Sequence, residues 1–191
     1  MKNFEKCIYT FKHRKAFLYL VNKLIKDDKD KKEMLKRARF HDLDKVVLYM
    51  FFDKKKASDY HRKTSHHHLE NNIEKNYYDY LESIIDFECA AYTKPDKPLN
   101  AHDTIIKFYK DSISTESHNS LIDILNKYDL NSSYCVLDDH NGIEYMKKYQ
   151  NVTEEMIMYE IFDYVSNNVD NSFVKFKNEI SDSIQIEGMV K

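Results

Sequence analysis

A chain of 191 residues with 42% hydrophobic side chains and a formal charge of -2 can bury the core of one domain, or of one domain with an appended lobe, and lacks the electrostatic footprint of a general nucleic-acid binder. Two glycines and two prolines leave few tight turns for hairpin-rich or dinucleotide-binding folds, and Gly142 and Gly188 lie too late to form a phosphate loop near the histidines, so an all-α fold is expected. Cys7, Cys89 and Cys135 have no CxxC spacing and fit buried thiols in a reducing cytosol; no signal peptide or membrane-length apolar run is read, and a soluble, cytoplasmic protein is expected.

In chain order, Phe4, Ile8, Phe11, Phe17, Leu18, Val21, Leu24 and Ile25 recur at helical intervals and predict a first helix with His13 in its middle, ending at Asp27-Asp28-Lys29-Asp30. A short second helix, from about Lys31 to Arg39, delivers the chain to His41-Asp42, and Val46 to Phe52 continue it as an apolar stretch. Residues 53–59 read as a polar loop, and His61 with His66-His67-His68 reads as opening a polar helix. A longer helix is predicted over Tyr77 to Tyr92, carrying Asp86 and Glu88, with Leu81, Ile84, Ile85 and Cys89 on one face. Pro95 and Pro98 mark the expected seam between a metal-binding core, residues 1–104, and a helical extension packed on it, residues 105–191. Helices are expected near Ala101 to Ser112, Ser117 to Tyr128, Ile143 to Tyr149 and Thr153 to Asn168, the last with Thr153 as N-cap, and an amphipathic piece over Phe173 to Ile180. Asn131 to Asn141 reads as a loop in which Tyr134 to Leu137 can pair as a short strand.

Seven of the nine histidines lie between His13 and His102. Among them His41-Asp42 can offer a nitrogen and an oxygen to one divalent cation. Asp86 interrupts the apolar run Ile84-Ile85-Asp86-Phe87, and a buried carboxylate needs a metal or a paired cation. Each residue also has a plainer reading. His13, between Lys12 and Arg14, would alone be a surface histidine; Asp86 could salt-bridge Arg37 or Arg39; His102-Asp103 is read as structural or a helix cap. The basic run from Lys23 to Arg39 and Lys54-Lys55-Lys56 is read first as solvated faces, and as a landing surface for an anionic substrate only because it flanks the histidines. Tyr77, Tyr78 and Tyr80 could stack a nucleobase, although 15 tyrosines make local clusters unsurprising.

Taken in order, His13, His41-Asp42 and Asp86 follow an H, HD, D pattern that resembles the HD-domain superfamily of metal-dependent phosphohydrolases. Lys45, in His41-Asp42-Leu43-Asp44-Lys45, resembles the HDxxK variant of some phosphodiesterase branches, and with His61 and His66-His67 the set is similar to an uncharacterised bacterial and phage HD-like family. That resemblance covers about half of the chain and leaves the C-terminal half unaccounted for. It implies an HD-like helical bundle in which His13, His41, Asp42 and Asp86 hold one ion and His61 with His67, or else His66, helps hold a second. Mn, Fe, Mg and Zn all suit such a mixed nitrogen and oxygen set. Two imidazoles and two carboxylates leave positions for water and acidify it toward neutrality, which makes a phosphate ester, and a nucleotide in particular, the expected substrate. Asp42 is expected at the reacting centre, with Lys45, Arg37 and Arg62 as phosphate binders. Adjacent residues on a helix point about 100° apart, so at most two of His66, His67 and His68 are expected to contribute. Asp44 is either a first-turn helix carboxylate or the partner that orients a ligand histidine. The alternatives are an HD-like di-iron oxygenase, a degenerate module that binds a nucleotide or a protein, and a plain structural helical protein; a homo-oligomer stays open.

Overall fold

The computed structural model describes residues 3–168. Among them every regular element is helical: α1 (Phe4–Leu24), α2 (Asp28–Phe40), α3 (Leu43–Phe51), α4 (Lys54–Thr64), α5 (Tyr77–Thr93), α6 (Ala101–Thr104) running on into a wider π-type turn over Ile105–Tyr109, α7 (Thr115–Lys127), α8 (His140–Lys147) and α9 (Glu154–Asn168). The chain divides into one compact unit ending at Val152 and a second beginning at Thr153. In the second, the Thr153 hydroxyl accepts a hydrogen bond from the Met156 amide at 3.3 Å, which caps α9 as expected. The predicted amphipathic piece over Phe173 to Ile180 lies outside the described residues.

Side-chain caps set several helix starts. Asp27 accepts from the Asp30 amide, Asp53 from those of Lys55 and Lys56, Asn100 from that of Asp103 and Ser114 from that of Ser117. Asn76 and Asp79 form a reciprocal capping box at the head of α5. The core of the first unit is made where α1 crosses α5: Phe17, Leu20, Val21 and Ile25 meet Leu81, Ile84, Ile85 and Cys89, with Met34 from α2 and Leu121, Ile124 and Leu125 from α7 closing the sides. These side chains are almost wholly removed from water. At roughly 1.5–3 kcal/mol for each fully buried large aliphatic, their burial is the main force holding the bundle together.

Four local expectations need correction. Residues 54–64 are helix rather than a loop after Asp53, and α4 is polar because it buries only Ala57 and His61, four residues apart on a single stripe. His66, His67 and His68 are not helical: α4 ends at Thr64, and the Asn71 amide side chain, donating to the carbonyls of Arg62 and Ser65, holds the following stretch in an irregular path until α5 begins. Tyr134 to Leu137 form no strand; Val136–Asp138 make a single 3-10 turn, and Cys135 is exposed while Cys7 and Cys89 are buried.

Candidate metal centre

Five parts of the first unit deliver side chains to one place: the middle of α1 (His13), the corner between α2 and α3 (His41, Asp42), the end of α4 (His61), the irregular stretch after it (His67, His68) and the middle of α5 (Glu82, Asp86). The corner is held in an unusual shape. Asp42 adopts φ 56° and ψ 11°, a left-handed conformation costing a non-glycine residue about 1–2 kcal/mol, though aspartate tolerates it better than most. Arg14, buried in α1, fixes that corner by donating to the carbonyls of His41 and Arg39, the latter at 3.1 Å. Phe17 packs flat on the His41 ring with centroids 3.9 Å apart. Backbone, guanidinium and aromatic ring together turn His41 and Asp42 inward.

The two nitrogens of each imidazole face different surroundings. The Nδ1 atoms of four rings each approach a carboxylate: His41 to Glu82 at 3.0 Å, His61 to Asp44 at 2.9 Å, His67 to Glu82 at 3.4 Å and His68 to Glu70 at 3.7 Å. The Nε2 atoms of the same four rings, and Oδ1 of Asp42, are buried and have no hydrogen-bond partner. They face one another instead. His61 Nε2 lies 2.8 Å and His67 Nε2 3.6 Å from Asp42 Oδ1, and His41 Nε2 lies 3.4 Å from Asp86 Oδ1, close enough for charge pairing. His13 Nε2 meets Asp86 Oδ1 at 2.6 Å, and the Cys89 thiol sits 3.3 Å from the same nitrogen.

Donor atoms of His13, His41 and Asp42, of His41, His67 and Asp86, of His13, Asp86 and Cys89, and of His61, His67 and His68 fall within 4.8 Å of one another in each set. Ligands at about 2.0–2.2 Å from a shared ion stand about 3–4.5 Å apart, so these groups could hold a metal ion. A polar core held together without one would leave few orphaned atoms, because each buried unpaired nitrogen costs about 1–3 kcal/mol. Carboxylates behind the rings and bare nitrogens in front are the arrangement by which proteins orient histidine ligands.

Burial and charge set the ionisation of the group. Burial works against ionisation of Asp42 and Asp86, but Lys45 and His41 beside Asp42, and His13 and His41 beside Asp86, hold both carboxyls well below the usual range. Glu82 is lowered against its burial by His41 and His67. His67 is buried yet pushed up to about 10 by Asp42 and Glu82, and His41 and His61 are raised by their acidic neighbours despite burial. Burial lowers His13, and burial together with His67 lowers His68 to about 3. The centre therefore holds more acid than its fixed cations balance.

The six residues expected as ligands, His13, His41, Asp42, His61, His67 and Asp86, are brought together. Lys45 reaches Asp42 Oδ2 at 3.2 Å, from the first turn of the same helix. Asp44 fulfils both of its readings, as a first-turn carboxylate of α3 and as the partner of His61. Arg37 does not point at the centre as a free phosphate binder: it bonds Asp79 at 2.7 Å and Glu82 at 3.0 Å, and so braces the carboxylate that orients His41 and His67. Asp86 pairs with His13 rather than with Arg37 or Arg39. Arg62 is exposed and lies 3.8 Å from Glu70. His66 is more than half exposed and faces Asp79, while His68, not favoured from sequence, turns inward.

Glu82 is the residue that sequence reasoning missed, although it stands one helical turn before Asp86 and therefore on the same face of α5. His102 and Asp103 pair with each other at 3.1 Å and stay outside the cluster; the cap there is Asn100. The hydroxyl of Tyr77 bonds Asp30 and that of Tyr80 bonds Ser117, and the Tyr80 ring is buried away from any base. A cavity of about 500 Å³ lined by Arg37, Phe40, His41, Asp42, His67 and Glu82 adjoins the centre. No helix among the described residues is long and apolar enough to cross a membrane. No family model, curated protein or solved structure matches the chain.

Proposed function

We propose that the chain is an HD-type, metal-dependent phosphohydrolase acting on a nucleotide or nucleotide-derived phosphate ester. The observation that carries this reading is the polarity of the four imidazoles, each with a carboxylate behind Nδ1 and a bare, buried Nε2 in front. His13, His41, Asp42 and Asp86 would hold one ion, and His61, His67 and His68, with Asp42 Oδ1 facing them, would hold a second. A bound Mn, Fe, Mg or Zn ion supplies an acidified water and neutralises phosphoryl oxygens.

The remaining work falls to the protein's own groups. Glu82 and Asp44 hold the imidazoles in the tautomer whose Nε2 lone pair faces inward. Arg37, fixed to Asp79 and Glu82, keeps Glu82 in place. Lys45 remains charged, raised against its burial by Asp42 and Asp86, and offers its ammonium to a phosphoryl group arriving beside Asp42.

The test is elemental analysis of protein purified without a histidine tag, followed by hydrolysis assays on nucleotides and generic phosphodiesters with each metal added in turn. One or two ions per chain, with turnover abolished in Asp42→Asn, is the expected result. Protein free of metal that gains none on incubation would end the reading, and oxygen uptake by the iron form would move it to the oxygenase alternative.

A further inference from the structure

A second cavity, of about 650 Å³, opens on the other side of Lys45. Its walls carry six cationic side chains, Lys6, Lys45, Lys54, Lys55, Arg62 and Lys94, against two carboxylates, Asp53 and Asp59. The cations come from the start of α1, the first turn of α3, both ends of α4 and the residue that closes α5, so folding and not local sequence gathers them. Internal pairing accounts for only part of the charge. Lys55 bonds Asp59 at 2.8 Å, Arg62 stands 3.8 Å from Glu70 and Lys45 reaches Asp42, whereas Lys6, Lys54 and Lys94 have no carboxylate within ion-pair distance among the described residues. Lys6 and Lys94 instead converge on one ring, at 5.9 and 5.2 Å from the centroid of Tyr9. Like charges gathered around a concavity repel one another, and an anion placed between them removes that repulsion.

Two residues of the cavity wall touch the centre. Lys45 lines it and bonds Asp42; Tyr9 lines it and stacks on His13, with centroids 6.0 Å apart and planes 16° from parallel. Lys45 and Asp86 are also the more exposed members of the centre. Of the side chains grouped there, Asp86 keeps 17% of its surface exposed and Lys45 18%, against 0–2% for His41, His61 and Asp42. By contrast, the cavity beside His67 sets four carboxylates, Glu33, Asp42, Asp44 and Glu82, against Lys36, Arg37 and the imidazoles of His41, His66 and His67, and so lacks the excess of free ammonium groups that a second anionic group calls for.

From these observations we infer that the lysine-lined cavity is a subsite for the further phosphates of a polyphosphorylated small molecule, whose reacting phosphoryl group lies at Lys45. The volume suits a compact ligand rather than a track for a nucleic-acid strand. The inference rests on the phosphohydrolase reading for its direction, but the cavity's affinity for polyphosphate does not depend on turnover.

Two measurements separate the two claims. Chelator-treated protein, so that the probe cannot sequester metal, is titrated calorimetrically with inorganic tripolyphosphate and with inorganic phosphate. Tripolyphosphate is expected to bind the more tightly, to weaken with salt, and to lose about tenfold in affinity in the double variant Lys54→Gln/Lys94→Gln, both sites being exposed. A control of equal charge, Lys26→Gln/Lys29→Gln, lies elsewhere on the surface and is expected to bind as the parent does. With metal added, the KM of a nucleoside triphosphate should rise about tenfold in Lys54→Gln/Lys94→Gln while kcat and the KM of the monophosphate stay unchanged. Tripolyphosphate binding lost in that variant, with no ester hydrolysed under any condition, would keep the subsite and remove the enzyme. Hydrolysis with tripolyphosphate affinity untouched by Lys54→Gln/Lys94→Gln, or equally reduced by the control pair, would keep the enzyme and overturn the subsite. A single-stranded oligonucleotide binding more tightly than tripolyphosphate would also overturn it.

Discussion

Loading the centre with a divalent ion should raise the melting temperature, and the replacement Asp42→Asn should cancel that rise. Asp42 Oδ1 faces His61 and His67 on one side while the residue belongs, with His13 and His41, to the other donor set, so one substitution damages both positions. An ion at 100 times its dissociation constant stabilises the folded state by about 2.7 kcal/mol per site. For a chain of this length each kcal/mol moves the midpoint by about 2–4 °C, giving a rise of about 5–11 °C for one site and about twice that for two. Asparagine keeps the shape of the side chain and tolerates the left-handed corner, so the fold is expected to persist. Metal-free Asp42→Asn loses some stability of its own because Lys45 is left without its partner, which is why the quantity to compare is each protein's own difference between metal-loaded and chelated samples. Differential scanning calorimetry with Mn, Fe, Zn and Mg supplies it. A second variant, His68→Ala, touches only the three-histidine set and should remove about half of the wild-type rise if two ions bind. Equal rises in wild type and Asp42→Asn, or none in wild type with any metal, would refute the reasoning.

Other outcomes follow from the same geometry. Glu82→Gln should weaken metal binding by about 10–100-fold while the far-ultraviolet circular dichroism stays unchanged, because Glu82 orients His41 and His67 without joining the donor atoms; an unaltered affinity in equilibrium dialysis would remove that role. Metal affinity should fall as pH falls: His67, raised to about 10 by Asp42 and Glu82, carries a proton at neutral pH in the metal-free protein and must shed it to bind an ion, and His41 and His61 are shifted in the same direction, so about a tenfold loss per displaced proton is expected between pH 7 and 6. Calorimetric titrations in buffers of different ionisation enthalpy count those protons, and a count of zero would contradict the assignment. Away from the centre, burial works to raise Asp30, but bonds from Lys127, Tyr128 and Tyr77 hold it down at about 2. A folded pKa below the unfolded value of about 3.9 gives stability that is present above that value and is lost as pH falls toward 2, on the order of 1 kcal/mol once solvent screening at Lys127 is allowed for. Urea unfolding of Asp30→Asn should therefore show a deficit at pH 7 that closes near pH 2, and a deficit independent of pH would argue against the network.

How much of this can be read from residues alone depends on which physical signal each part carries. The helices of the core announce themselves through apolar spacing, as in Phe17, Leu20 and Val21 of α1 and Leu81, Ile84 and Ile85 of α5, and Asp86 stands out because a charge interrupts such a run. Helix α4 is silent by the same measure. Its stripe consists of Ala57 and His61, and the signal that remained was Asp53 as an N-cap before a lysine run. Placing His66, His67 and His68 on a helix gave no ground for preferring His68 to His66 beside His67, since 100° spacing has no meaning along an irregular path. Glu82 was legible in position but not in role: only the folded arrangement brings His41 of the α2–α3 corner and His67 of the stretch after α4 to the same carboxylate. The cationic cavity is invisible in the sequence for a similar reason, because Lys6, Lys45 and Lys94 are separated by tens of residues.

The sparse anchorage of α4 has a further consequence. With Ala57 and His61 as its whole buried contribution, that helix has little oil to glue it to the bundle, and His61 is also a donor in the three-histidine set. Cation loading would thus act as a rivet. Stripping the ion should loosen α4 and the strap behind it long before the crossing of α1 and α5 gives way, and amide hydrogen exchange would register this as a local breathing motion confined to residues 54–76.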